Sequence, residues 1–394
     1  MNIRIILILI ILLISSSIVL EMPAPSFVSM EKFFNVSEVT IGYIVSLSLV
    51  GSFFASFLYG PLADFYGRKK ILIFGNFIAL IGSIGCVFSQ SIEALIFSRF
   101  VQGFGASCSL VLIPIIISDL YEVNEASKLY KINAAFVTIF TAMAPIIGGF
   151  ANDKFGWRYN FQIIMYFSIL AFLFSHYFKE TKKSEVKKIS FNNIFLEYKF
   201  LLKDHLFLLS SLATNLLYGN FLVFLTYTPF LYIKVFGMTA SNYSIHQAVA
   251  VIAFSIANFA LSRFSESMNL RFVKIGICLC VFSTISIYFF NSPNFITFFI
   301  CLSAMGSAMT FPTLMAYSIG NVEESLKGAG SSFSIGTRYL ICGFIIYIVS
   351  KGYDGTNTRL SVFMSTLSLI IFSITLYLFK KRFFDKKDIP VELK

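Results

Sequence analysis

The run "GPLADFYGRKK", residues 60–70, is polar and interrupted by two glycines, and it carries Asp64 and three consecutive bases, Arg68, Lys69 and Lys70. It sits between two strongly apolar stretches of a chain that is 57% hydrophobic and only 13% charged. A soluble domain is about a quarter charged. Charge gathered at one short point between greasy runs reads as a turn at a membrane surface, with the bases anchoring the start of the next helix. Asp64 and Arg68 stand four residues apart, close enough to pair on a helical turn. Gly60 and Gly67 permit tight geometry and close approach.

Working outward, the 394 residues resolve into twelve apolar spans, near 3–28, 38–58, 71–89, 92–118, 128–150, 159–178, 206–232, 241–262, 272–290, 293–319, 328–350 and 360–379. Each is long enough to cross a hydrocarbon core of about 30 Å as helix. The expected fold class is therefore an all-α membrane protein. With the N-terminus in the cytoplasm, 23 of the 31 Lys and Arg fall in cytoplasmic segments and 6 in outer loops, while Arg99 and Arg338 lie inside spans. That asymmetry orients the chain and returns its basic tail to the cytoplasm, so both termini are expected there. The net charge of +11 is thus read as orientation and contact with anionic lipid, not nucleic-acid binding. Residues 1–20 are read as the first span, not a cleaved leader. The six cysteines all fall within spans and suggest neither a metal site nor a disulfide framework.

The longest polar interruption, residues 179–205, contains seven lysines and is expected to be a cytoplasmic linker. It separates an N-terminal six-helix bundle (1–178) from a C-terminal one (206–394). "FNVSEVTIG" from Phe34 resembles "FGMTASNYS" from Phe236, an offset of 202. The same register sets Gly60 against Ser262, Asp64 against Glu266, Lys69 against Arg271 and Glu122 against Glu324. The two bundles are expected to be pseudo-symmetric and parallel, with a site between them near the midplane.

"GPLADFYGRKK" resembles the signature found after the second of twelve helices in the Major Facilitator Superfamily. "RFVQGFGAS" (Arg99–Ser107, including Gln102) looks like the fourth-helix motif of that family's drug–proton antiporter branch. "APIIGGF", with Pro145, Gly148 and Gly149, looks like its fifth-helix antiporter motif, although Ala144 replaces the usual first glycine. "GWRYNF" (156–161), "FKET" (178–181) and "KGAGSSFSIGTRYL" (327–340) resemble Bcr/CflA-type transporters of bicyclomycin and chloramphenicol resistance. "EMPAPSF" from Glu21 is similar to that branch's first-helix stretch, with the acid two residues later than usual and Val19 in its place. The resemblance implies a proton-driven exporter of small amphipathic molecules. It also implies a cytoplasmic latch of Gly60, Asp64, Gly67, Arg68 and Lys69, in which Asp64 and Arg68 brace helices 2 and 3 against helix 11. From the residues alone, Asp64 reads as a turn cap.

Charges within hydrocarbon cost about 2.5–3.5 kcal/mol each on insertion scales and mark a cavity or a partner. Glu21 and Arg99 each stand about seven residues, roughly 10 Å, from the outer end of their spans. They are expected either to form a conditional pair that exchanges protons or to make a permanent salt bridge, with Glu21 snorkelling outward as a third possibility. At offset 202 Arg99 meets Cys301, so coupling chemistry is expected mainly in the first half. Arg338 is a second cavity charge or a snorkelling group. His246 is a proton carrier or a plain polar contact. Gln102, Asn133, Asn215, Tyr218, Asn220 and Tyr227 are candidate cavity-lining residues, and the glycines of "QGFGAS" and "IIGG" are expected to let helices approach closely.

No His-Glu-x-x-His, Gly-x-Ser-x-Gly or Walker pattern occurs, which argues against an enzyme or a nucleotide-driven pump. No cofactor or metal is expected. The expected partners are a small-molecule substrate, protons and lipid. The expected protein is a monomeric transporter of the bacterial inner membrane that exports a drug-like or siderophore-like compound against protons by alternating access. An importer of a nutrient or metabolite with the same fold is the alternative.

Overall fold

The computed structural model describes residues 3–181, 197–261, 266–323 and 326–381. Among these, all regular structure is helical. Helix α1 (Ile3–Glu21) stops where Pro23 and Pro25 withhold backbone donors; a single tight turn, Ala24–Ser26, leads into a short helix, Phe27–Phe34, that ends on Asn35 in the left-handed region. The apolar run thus extends beyond the expected end at residue 28, with a break just after Glu21. Helices α2 (Glu38–Tyr66) and α3 (Arg68–Phe88) are joined by Gly67 alone, at φ 105°. Helix α4 (Ile92–Leu120) is capped by Ser91, and α5 (Val123–Phe155) continues through Pro145 to Gly156. Helix α6 (Arg158–Ser175) closes the first series.

Asp204 starts α7 (His205–Pro229) by accepting from the amides of Leu206 and Phe207, each at 3.0 Å. The helix then widens into one π turn, Phe230–Val235. Helices α8 (Ala240–Leu261), α9 (Glu266–Ser286), α10 (Pro293–Gly320), α11 (Lys327–Gly352) and α12 (Asn357–Lys380) follow. Eleven helical segments among the described residues are long and apolar enough to cross a membrane. The remaining one, α6, has 18 residues and a polar first turn with Arg158 and Asn160. Most of the expected linker, 182–196, and the tail beyond 381 lie outside the described residues, as do Ser262 and Glu324 of the proposed repeat.

Two compact units emerge from the contacts. The first comprises Met1–Ile189 with Thr228–Ala248 and Ile346–Lys351; the second comprises Ser190–Tyr227, Val249–Ile345 and Gly352–Lys394. In the first, small residues bring backbones together, as membrane helices require where no hydrophobic force separates helix from lipid. A methyl added at Gly75 would strike Cys108, and one at Gly105 would strike Ala79. In the second, a methyl at Gly276 would strike Met309, and one at Gly306 would approach Cys280. These are the same two contacts displaced by 201 residues, so the duplicated halves share a packing scheme. The register is one residue shorter here than the 202 that relates Phe34 to Phe236. In this register Arg99 meets Ile300 and not Cys301; either way its counterpart is uncharged.

Gly60 lies inside α2 with nothing near its missing side chain, whereas at Gly67 a methyl would meet the carboxyl of Glu180. The signature's two glycines therefore differ in kind. Gly67→Ala is expected to cost about 1–3 kcal/mol through its backbone conformation, read as a lower thermal midpoint in detergent. Gly60→Ala is expected to be neutral or to stabilise by up to about 1 kcal/mol.

Candidate functional site

The break after α1 positions the first buried charge. Glu21, on the last turn of the helix, is 5% exposed. Its Oε2 accepts a hydrogen bond from Nε2 of Gln247, on α8, at 3.1 Å. Gln247 is fully buried, and its own Oε1 finds no partner among the described residues. Helix α5 holds this pair in place. The "IIGG" glycines face two different neighbours: a methyl at Gly148 would strike the carbonyl of Met22, next to Glu21, and one at Gly149 would strike Ala240 and Ser244 of α8. Asp153, one turn further on, caps α8 by accepting from Ser241 N at 2.8 Å and Ala240 N at 3.3 Å. The negative carboxylate also complements that helix's positive end. Lys234 adds a fork to Glu31 at 3.0 Å and Glu38 at 2.7 Å.

Arg99, on α4, is completely buried and is the bulkiest side chain so enclosed. Its Nη1 donates to the carbonyl of Val19 at 2.9 Å and to Oε1 of Gln102 at 2.6 Å. Gln102 donates in turn to Ser83 Oγ at 2.9 Å, and Ser83 meets Ser168 at 3.0 Å. This relay joins α4, α3 and α6. The guanidinium lies 5.9 Å from the Phe161 ring. Nε and Nη2 have no acceptor among the described residues, and no ion pair joins Arg99 to Glu21. Arg99 reaches the backbone two residues before Glu21, so the expected acid and base share a depth, but the acid's partner in this state is an amide. Asn133 on α5 is buried, and neither end of its amide finds a partner among the described residues. His246 is half-buried, with its ring 5.3 Å from that of Tyr232.

In the second unit, Arg338 on α11 donates through Nε to Asn215 Oδ1 at 3.3 Å and lies over the rings of Phe311 (4.9 Å) and Tyr218 (5.8 Å). Asn215, Tyr218 and Arg338 thus form one group. Asn220 is elsewhere: it donates to Ser368 at 3.0 Å and ties α7 to α12. Tyr227 packs against Tyr353, ring centres 5.0 Å apart.

At the turn between α2 and α3, Arg68 pairs with Asp64 and reaches Asp119 at 3.3 Å, bracing α2, α3 and α4. Glu180 accepts from the amides of Arg68 (2.8 Å) and Lys69 (3.3 Å), closing the start of α3. Sequence reading missed Gln247, Asp153, Asp119 and Glu180. Gln247 adjoins His246, a polar pair within an apolar run, and that was its only signal.

The model of the Major Facilitator Superfamily matches residues 9–346. The chain is 26% identical to the MFS-type transporter YdgK of Bacillus subtilis, over 83% of both chains. It is 24% identical to a bicyclomycin resistance protein homolog of Haemophilus influenzae, over 78% of this chain and 82% of the relative. It is 26% identical to the multidrug resistance protein MdtL of Salmonella typhimurium, over 86% and 87%. Among solved structures, a mutant form of the nucleoside transporter NupG superposes with a TM-score of 0.76 at 16% identity, covering 96% of this chain and 99% of that one. A D-xylose–proton symporter gives 0.74 at 14%, covering 94% and 97%. Likenesses at this identity speak for the fold alone.

Because Gln102 supplies the only side-chain acceptor for Arg99 among the described residues, Gln102→Leu is expected to destabilise the protein by about 1.5–3 kcal/mol, the usual worth of a hydrogen bond to a charged group. Gln102→Glu is expected to retain most of that stability. Thermal unfolding of the purified proteins in detergent distinguishes the two.

Proposed function

The chain belongs to the Major Facilitator Superfamily, and from that premise we propose that it is a proton-coupled exporter of small drug-like or siderophore-like molecules across the bacterial inner membrane. It is a transporter, not an enzyme. The export reading draws on its likeness to the bicyclomycin resistance protein homolog and to MdtL. The observation that carries the proton reading is the buried carboxylate of Glu21, held by one neutral amide, while a guanidinium with two donors that find no acceptor among the described residues is bonded to the backbone two residues before it.

Taking a carboxylate out of water disfavours its charged form, and nearby donors favour it. Glu21 therefore has two available states. With α8 close, Gln247 donates to the ionised acid. When α8 moves away, that donor is lost, and either a proton or Arg99 must compensate the charge. Arg99 keeps Nε and Nη2 available for that purpose, fixed by Val19 and the Gln102–Ser83–Ser168 relay. The outer ends of α2, α5 and α8 are held by Asp153 and by the Lys234 fork. In the proposed cycle those contacts break as the outer side opens, so proton occupancy at Glu21 is tied to the position of α8. On the inner side, the Arg68 brace of Asp64 and Asp119 supports a latch that engages helix 11 in the opposite state.

Two outcomes are expected. Cells producing the protein accumulate less of a labelled amphipathic compound than cells lacking it, and collapsing the proton gradient removes the difference. Higher accumulation in the producing cells supports the importer alternative instead. Glu21→Gln, inserted normally, is expected to lose gradient-driven transport in membrane vesicles by at least about tenfold, a loss of 1.4 kcal/mol or more. Wild-type transport rates in that variant remove Glu21 from the mechanism.

A further inference from the structure

Arg338 is the second cation within the spans, and nothing in the proposed proton path uses it. It is the twelfth of the 26 residues of α11, about 17 Å from that helix's cytoplasmic end at 1.5 Å per residue. An arginine side chain spans roughly 7 Å, so from the middle of a hydrocarbon layer about 30 Å thick it does not reach either surface. It turns instead toward α7 and α10 of its own unit. Nε is committed to Asn215 Oδ1, and Asn215 is oriented by donating to Thr337 Oγ1 at 3.2 Å. Among the described residues Nη2 meets only the thioether of Met315, at 3.9 Å. Nη1 makes no hydrogen bond among the described residues, and no carboxylate lies within ion-pair reach of the group. The side chain is half-buried, so the unused edge of the guanidinium is not sealed by packing.

A cation at this depth calls for a counter-charge, and the described residues supply none. What they supply is a frame: one amide that fixes the plane of the guanidinium, the rings of Phe311 and Tyr218 beside it, and a methionine, whose soft and flexible side chain adapts to varied shapes. Guanidinium edges match carboxylates in a two-bond geometry that an ammonium does not reproduce. A single guanidinium balances a single negative charge. We propose that Arg338 and Asn215, with Phe311, Tyr218 and Met315, form a subsite for the carboxylate of a monoanionic cargo whose apolar or aromatic body lies against the rings. This deepens the transporter reading and rests on it, because it names the class of molecule that the second unit selects.

The test is binding to the purified full chain in lipid nanodiscs, followed by dye fluorescence, with empty nanodiscs as the blank. The probes are dansyl-phenylalanine, an aromatic carboxylate, and its methyl ester, which differ only in the charge. The wild type is expected to bind the acid at least about tenfold more tightly than the ester, and Arg338→Gln to lose that preference. A cooperative thermal unfolding transition of the variant in the same nanodiscs shows that it is folded. Arg338→Lys, which keeps the charge but not the fork, is expected to fall between the two and serves if the Gln variant does not accumulate. Equal affinities in the wild type, no binding of either dye, or a preference that survives in Arg338→Gln overturns the proposal. So does a preference that appears in gluconate and vanishes in an equal concentration of chloride, since the site would then be filled by a simple anion. Neither a gradient nor transport enters this readout, so its failure is separate from failure of the proton-coupled export reading.

Discussion

Hydrocarbon offers no hydrogen bonds, and a buried guanidinium must find all its acceptors within the protein. Arg99 is the point at which this constraint shapes the first unit. Its carbonyl acceptor, Val19, comes from the last turns of α1. Its side-chain acceptor, Gln102, is one turn along the same helix and leads through Ser83 to Ser168. Three helices and the end of a fourth are therefore arranged around one cation. Two of its nitrogens have no acceptor among the described residues, and the carbonyl that a third one reaches stands two residues before Glu21. Stability and the proposed proton chemistry share the same few side chains.

Close backbone approach makes the arrangement possible. The α4 backbone runs against α2 at Gly51 and Gly103 and against α3 at Gly82 and Gly105. The carbonyls and side chains that meet there would be held apart by a single methyl. Gly148 and Gly149 act similarly on the other flank, pressing α5 against the α1 break and the start of α8. The result is that Gln247, 226 residues away in sequence, contacts Glu21 directly.

The parts of this legible in the sequence are those announced by charge. Arg99, Glu21 and Arg338 stand out because an ionisable side chain within an apolar run is rare, and the Asp64–Arg68 pair is written into a spacing of four. Polar but uncharged partners are silent by comparison: an amide in an apolar helix carries little signal until its partner is known. Gln247, and the caps that Asp153 and Glu180 provide to distant helices, could not be found from local pattern. Helix ends were also hard to place. The α2 helix runs to Tyr66 and not 58, because polar residues at a membrane surface stay helical where hydropathy falls. The repeat was visible in sequence, but the packing of Gly75 and Gly276 reveals the shift of register by one residue that the weak matches could not.

The proposed anion subsite at Arg338, joined to the proposed proton-driven export, has an electrical consequence. A monoanion that leaves the cell while a proton enters moves two elementary charges in the same sense across the membrane. Each is worth about 2.3 kcal/mol per 100 mV, and an interior-negative voltage assists both. A transporter so built would draw on membrane voltage as well as on acidity, and would continue to work in surroundings where the pH difference alone has vanished.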